Sequence, residues 1–294
     1  KLLGGVISAR LRWCAMLRPG HATAKGRAMW ALHEAREGAV LLIESPLLCT
    51  SMPGARDVCG ACLGDAAEYC DKCDEGTCKS CHPHQCSSPP DGGDRELRGS
   101  LWYRLYHKYI GSLVKGEDGA NWADFARVPT KVYDDWDKFA SASDLFVQPA
   151  CRRWGGQALP GTSAAEALTR EGFLDFYRLV RANAAAVSTR GSGIFRQHAC
   201  LNHSRKANAT VFSMLDLHSD RSKASCGVAW HPGTIMVVAV RDIVEGEEVC
   251  ISYCGPDERC EDLEMRYGFE CACGFCSDVQ VVGSAVVCPG AVHS

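Results

Sequence analysis

The chain has 294 residues, 46% hydrophobic and 23% charged. That composition supports a buried core and excludes long-range disorder. Thirty-two Lys and Arg stand against 35 Asp and Glu, a net charge of −3, so bulk electrostatics do not indicate direct nucleic-acid binding. No apolar run approaches membrane-spanning length, so no membrane partner is expected. Of 19 cysteines, seven fall between Cys59 and Cys86 and three between Cys271 and Cys276. A chain this long needs no disulfide framework, and clustered CxxC pairs beside histidine read as metal ligands.

Residues 1–33 carry Lys1, Arg10, Arg12, Arg18, Lys25 and Arg27 and no acid. Two readings fit, an organelle transit peptide or an opening strand with a basic exposed face. Ala39–Ile43 and Pro46–Leu48 predict short buried strands after a turn at Glu37-Gly38. Residues 57–86 are cysteine-dense and hold too few large apolar side chains to fold around a hydrophobic core. Residues 87–94, Ser-Ser-Pro-Pro-Asp-Gly-Gly-Asp, form a linker. Leu97, Leu101, Leu105, Tyr109 and Leu113 then recur every four residues along one helical stripe, and Phe173, Phe176, Tyr177 and Val180 mark a second helix. Gly155-Gly156 and Pro160-Gly161 place a loop between them. Residues 194–254 are rich in β-branched and aromatic residues; Gly233–Val240 reads as a strand, followed by a turn and a second strand. The fold class is α+β, with β-rich segments flanking a helical insertion and a metal-organised module.

In that module the ligand order is Cys59-x2-Cys62, Cys70-x2-Cys73, Cys78-x2-Cys81, then His82-x3-Cys86. These eight thiolate or imidazole ligands suit two tetrahedral zinc sites, and His84 is an alternative to His82. Zinc here is structural, because no ligand position is left open for water. It replaces the missing core with folding free energy of about 10 kcal/mol or more per site. The ligand order, with Tyr69 beside Cys70, resembles the MYND zinc finger, although the third pair is closer spaced than is usual there.

Three separated segments carry the second signal. They are Lys25-Gly26-Arg27-Ala28-Met29, Leu201-Asn202-His203-Ser204-Arg205-Lys206-Ala207-Asn208, and Gly246–Tyr253 followed by Tyr267-Gly268-Phe269-Glu270-Cys271-Ala272-Cys273-Gly274-Phe275-Cys276. A serine hydrolase built on His203 and Ser204 is disfavoured, since adjacent side chains on a strand point apart and no nucleophile elbow surrounds Ser204. Together the segments resemble the SET-domain protein lysine methyltransferases, and with the inserted finger the SMYD (SET and MYND) branch. The resemblance covers about residues 20–280.

It implies an N-terminal SET part at 20–56, a MYND-like finger at 57–86 and a helical linker and SET insertion at 95–190. The SET core would follow at 191–257 and a post-SET cysteine tail at 258–280. It also implies S-adenosylmethionine as cofactor, lined by Lys25, Gly26, Arg27, Asn183, Asn202 and His203. Tyr253 would sit beside the transferred methyl, Tyr267 would wall the lysine channel, and Phe269 would pack on the adenine. A third zinc would be held by Cys271, Cys273 and Cys276. Arg205 stands where the family's fourth ligand is a cysteine, so either Cys200, Cys254, Cys260 or a water completes the site or the site is lost. Ala28 replaces the usual glycine, which is tolerable unless its φ is positive; Ala207 replaces the usual proline. The implied partners are a lysine-containing protein or peptide and proteins recruited by the finger, in nucleus and/or cytoplasm. The helical C-terminal domain usual in that branch would either lie beyond the sequence given or be lacking in a minimal member. The rival reading is a catalytically inactive interaction module.

The chemistry follows from the residues. A lysine amine with pKa near 10.4 is neutral in about one molecule in two thousand at pH 7, a cost of roughly 4–5 kcal/mol. An aromatic-walled channel beside a sulfonium lowers that cost by desolvation and like-charge repulsion, and in-line displacement then depends mostly on positioning.

Overall fold

The computed structural model describes residues 16–22, 26–71, 75–81, 100–116, 121–129, 143–218, 231–254, 263, 266–269 and 271. Strands β1 (Leu17–Ala22) and β2 (Gly26–Ala31) pair antiparallel, so residues 17–22 and 26–31 take the strand reading of the basic start. Gly20 lies under the Trp30 ring, where a Cβ would come within 2.8 Å. Ala28 is fully buried in β2 and is not among the residues of positive φ, so the glycine-to-alanine departure carries no strain.

Strand β3 (Val40–Glu44) follows the predicted turn, with Gly38 at φ 82°. Strand β4 (Leu48–Ser51) comes next, beginning at the last residue of the expected Pro46–Leu48 stretch and running on to Ser51. β3 joins β11 (Ile235–Ala239) and β10 (Ala209–Ser213) in the order β10-β11-β3. β11 is buried along its whole length because both faces are covered. Val237 and Ala239 enter one apolar cluster with Met29, Leu41 and Ile251, whereas Met236 and Val238 pack with Met214 on the other side. A continuous Ile-Met-Val-Val-Ala run is what such a two-sided strand requires. β4 pairs with β8 (Gly191–Ile194), which pairs with β7 (Ala184–Val187).

The helical insertion contains α1 (Leu101–Lys115), α2 (Asp144–Trp154), α3 (Ser163–Ala167) and α4 (Arg170–Asn183). Ser100 caps α1 by accepting from the Tyr103 N–H, and Gly116 at φ 63° ends it. Thr162 and Thr169 cap α3 and α4 in the same way. The expected stripe is buried: Leu105 and Tyr109 enter the core beside Phe173, Phe176 and Val180, and Leu101 and Leu113 pack against it. Leu97 lies outside the described residues. α2 and α3 flank the predicted loop as helices that the sequence pattern did not reveal, since Pro149 interrupts α2 and α3 is barely one turn.

Within the cysteine module, β5 (Glu68–Cys70) and β6 (Glu75–Thr77) form a hairpin. Val58 and Leu63 anchor it to Cys49, Phe195 and Ile235 of the main body. The remaining elements are β9 (Asn202–His203), α5 (Met214–His218) and β12 (Cys250–Ile251).

Candidate functional site

Residues 247–251 run between β2 and β9. On one side Ala31 N–H donates to the Glu247 carbonyl (2.9 Å) and Val249 N–H donates to the Met29 carbonyl (2.8 Å). On the other, β12 pairs in parallel with β9, setting Cys250 opposite Asn202 and Ile251 opposite His203. Buried Asn208 fastens this crossing. Its Nδ2 donates to Glu247 Oε1 and to the Glu248 carbonyl, both at 2.9 Å, and its Oδ1 accepts from Cys250 N–H at 2.8 Å. Asn202 Nδ2 donates to the Arg27 carbonyl (2.9 Å) and to Glu248 Oε1 (2.8 Å). Three segments distant in sequence thus meet at Asn202. Glu248 and Asn208 were not among the sequence-predicted site residues, although both lie within the quoted segments.

Rings cluster around Tyr253. Its centroid lies 5.5 Å from His203, 5.2 Å from Tyr267 and 6.3 Å from Phe269, and Tyr267 and Phe269 are 6.1 Å apart. Gly268, at φ 75°, makes the turn that brings both rings to one side. Phe269 is 37% exposed, so part of its face is open for a ligand. The Tyr253 hydroxyl donates to the Leu201 carbonyl at 2.5 Å, and the Tyr253 N–H donates to His203 Nδ1 at 3.1 Å. An accepting Nδ1 puts the imidazole proton on Nε2. Burial, and then the neighbouring Tyr267, push the Tyr253 phenol well above its ordinary pKa, so it keeps its proton at neutral pH.

Arg27 extends the cluster. Its guanidinium lies over the Phe125 ring at 5.6 Å. The next residue, Ala126, accepts from Asn183 Nδ2 (2.9 Å), which also donates to the Leu179 carbonyl (2.7 Å). Asn183 Oδ1 is buried and lacks a partner among the described residues. Asn202, Arg27, Phe125, Ala126 and Asn183 therefore form one chain of contacts. An orphaned acceptor, a cation and exposed aromatic area fit S-adenosylmethionine, which offers amino groups, a carboxylate and an aromatic base. Gly26 begins β2 at φ 77°. Lys25 lies outside the described residues.

The second candidate site is a metal centre. The Sγ atoms of Cys59, Cys62, Cys78 and Cys81 all lie within 4.8 Å of one another, and Cys62 and Cys78 are 3.6 Å apart. Tetrahedral zinc with Zn–S near 2.3 Å requires S···S separations of about 3.8 Å, so the cage is close to zinc's size. Cys59 is held well below the usual thiol pKa by a hydrogen bond from Cys62, and also by N–H groups of Cys78, Ala61 and Cys62. The bond to Cys59 pushes Cys62 up, and burial pushes Cys81 up to about 12. Four closely spaced thiols, one of them acidified by its neighbours, suit a divalent cation that displaces their protons.

The first and third CxxC pairs therefore share this site, a pairing the spacing alone left open. Cys70, on β5, is not part of it, and Cys73, His82 and Cys86 lie outside the described residues. In the tail, Cys271 is half-buried, and Cys273 and Cys276 lie outside the described residues. Cys200, one candidate for the fourth tail ligand, directs its thiol to the Arg196 carbonyl at 3.6 Å.

The SET-domain family profile matches residues 26–254. Similar solved structures include the SET domain of LSMT bound to lysine and AdoHcy, with 14% identity and a TM-score of 0.47, covering 88% of this chain and 54% of that one. Rubisco LSMT bound to AdoMet matches with 12% identity and a TM-score of 0.45, over 89% of this chain and 53% of that one. Rubisco LSMT bound to sinefungin and monomethyllysine gives 13% and 0.45, over 89% and 53%. The chain spans about half the length of these structures. No curated protein matches it.

Proposed function

The chain belongs to the SET-domain family, and from that premise we propose that it transfers a methyl group from S-adenosylmethionine to a lysine side chain of a protein, histone or non-histone. The observation that carries the reading is the ring cluster around Tyr253, seated on the same residues 201–203 that bind the Arg27 backbone. S-adenosylmethionine supplies a methyl group on a cationic sulfur. The protein supplies position and a dry wall. Tyr253 and Tyr267 exclude water from the amine and so favour its neutral form, and the exposed face of Phe269 is left for the adenine. Tyr253 is not the base, because burial holds its proton and that proton is committed to the Leu201 carbonyl. Its remaining oxygen lone pairs orient the amine or the methyl group. Asn202 fixes β9 against β2, and Asn183 Oδ1 offers an acceptor to the cofactor's amino groups.

The metal centres are structural in this reading. Cys59, Cys62, Cys78 and Cys81 hold one zinc; Cys70, Cys73, His82 and Cys86 hold a second in a MYND-type interleaved finger of the SMYD branch. Cys271, Cys273 and Cys276 contribute to a third. The finger offers a surface to protein partners, and the protein works in nucleus and/or cytoplasm. Calorimetry with S-adenosylmethionine tests the core of the reading. Micromolar binding is expected; no binding at high micromolar cofactor would leave the chain as an interaction module.

A further inference from the structure

The helical insertion holds a cleft of about 750 Å³ between residues 121–127 and helices α3 and α4. Its floor is aromatic, with Tyr109 and Trp122 crossing at 85° and 5.2 Å. Its rim carries Glu166, Glu171 and Asp175. Arg127, the cation of the lining, is already engaged. Its Nε lies 3.1 Å from both Asp175 oxygens, its Nη2 is 2.9 Å from Oδ2, and its Nη1 donates to the carbonyls of Trp122 and Phe125. The Glu166 and Glu171 carboxylates have no such partner among the described residues. A second observation points the same way. Trp122, which lines this cleft, is only 8% exposed, and its buried indole N–H has no acceptor among the described residues.

These features ask for a ligand that brings both cations and a hydrogen-bond acceptor. A phosphate backbone is repelled by the rim, and a single metal ion leaves the aromatic floor and most of the volume unused. A peptide satisfies all of them, and the volume lies within the range of pockets that bury sizeable ligands. The cleft also abuts the candidate site: the Trp122 ring lies 5.4 Å from Phe125, which lies 5.6 Å from the Arg27 guanidinium.

We propose that this cleft docks a basic segment of the protein substrate, outside the target lysine itself. A backbone carbonyl of that segment accepts from Trp122 Nε1–H. Its Lys or Arg stems lie over Tyr109 and Trp122, and their head groups meet Glu166 and Glu171. The inference rests on the methyl-transfer reading for the word substrate, but its test does not require turnover.

The probe is the peptide Ac-Ala-Arg-Ala-Lys-Ala-Arg-Ala-NH2, with a Gln-for-Arg and Gln-for-Lys counterpart, added to the intact chain without cofactor. The Trp122 indole resonance, identified by its loss in Trp122→Phe, moves downfield on binding the basic peptide. Glu166→Gln/Glu171→Gln weakens that binding about fivefold and leaves S-adenosylmethionine affinity unchanged. An unmoved indole resonance at peptide saturation, or equal affinity in the double variant, overturns the proposal. An active enzyme with either result keeps methyl transfer and loses the cleft. A chain that docks the peptide but binds no S-adenosylmethionine keeps the cleft and loses methyl transfer.

Discussion

Tyr253 shows how much one phenol does here. Its ring packs against His203, Tyr267 and Phe269, its N–H fixes the His203 tautomer, and its hydroxyl is tied to the Leu201 carbonyl. Tyr253→Phe keeps the ring contacts and removes the oxygen alone. Turnover is expected to fall by about a hundredfold, the usual effect of losing one positioned polar group at the reacting atoms. S-adenosylmethionine affinity should stay within twofold. Single-turnover kinetics with parallel calorimetry separate the two, and undiminished turnover would remove the hydroxyl from the mechanism. At this scale Asn202, His203, Tyr253, Tyr267 and Phe269 were legible in the sequence because each sits inside a short spaced segment. Glu248 was not singled out. Its role depends on Asn202, 46 residues away, and such pairing leaves no local trace.

At the scale of elements, the long helices and the apolar β11 announced themselves through periodicity and β-branched content. β9 did not, since a strand of two residues has no period to read, and the second strand expected after Gly233–Val240 and its turn appears as only the two residues of β12. They exist because Asn208 closes the crossing with three hydrogen bonds, to Glu247, Glu248 and Cys250. Asn208→Ala leaves the Glu248 carbonyl and the Cys250 N–H short of a partner in a buried setting, at a cost of about 3 kcal/mol. Urea unfolding of the variant checks this. A loss below 1 kcal/mol would show that pairing with β9 and the backbone bonds to β2 hold β12 without Asn208. The cysteine module was equally legible as a candidate metal site, yet which pairs come together is a property of the chain's path, fixed when the β5–β6 hairpin brings Cys78 and Cys81 back to Cys59 and Cys62.

For the whole molecule the question is how a module without its own apolar core is joined to the rest. Beside the apolar contacts of Val58 and Leu63, the junction holds a largely buried ionic knot. Lys108 on α1 reaches Glu75 of β6 at 2.9 Å, the Gly60 carbonyl of the first knuckle at 2.5 Å, and the Cys49 carbonyl of β4 at 3.1 Å; Thr50 donates to the same Glu75 oxygen at 3.3 Å. The Glu75 side chain is 3% exposed, so removing the ammonium strands a desolvated carboxylate. Lys108→Met is expected to cost about 3 kcal/mol, and adding Glu75→Gln should recover part of it, because the second change removes the stranded charge rather than a contact. One ammonium thus ties helix, sheet and knuckle together, and metal removal should be felt beyond the finger. In the wild type, a zinc chelator should lower the single thermal midpoint of the whole chain. In Lys108→Met it should instead split the melt into an early finger transition and a later one for the body. A chelator that melts only the finger in the wild type would show that the knot does not couple the modules.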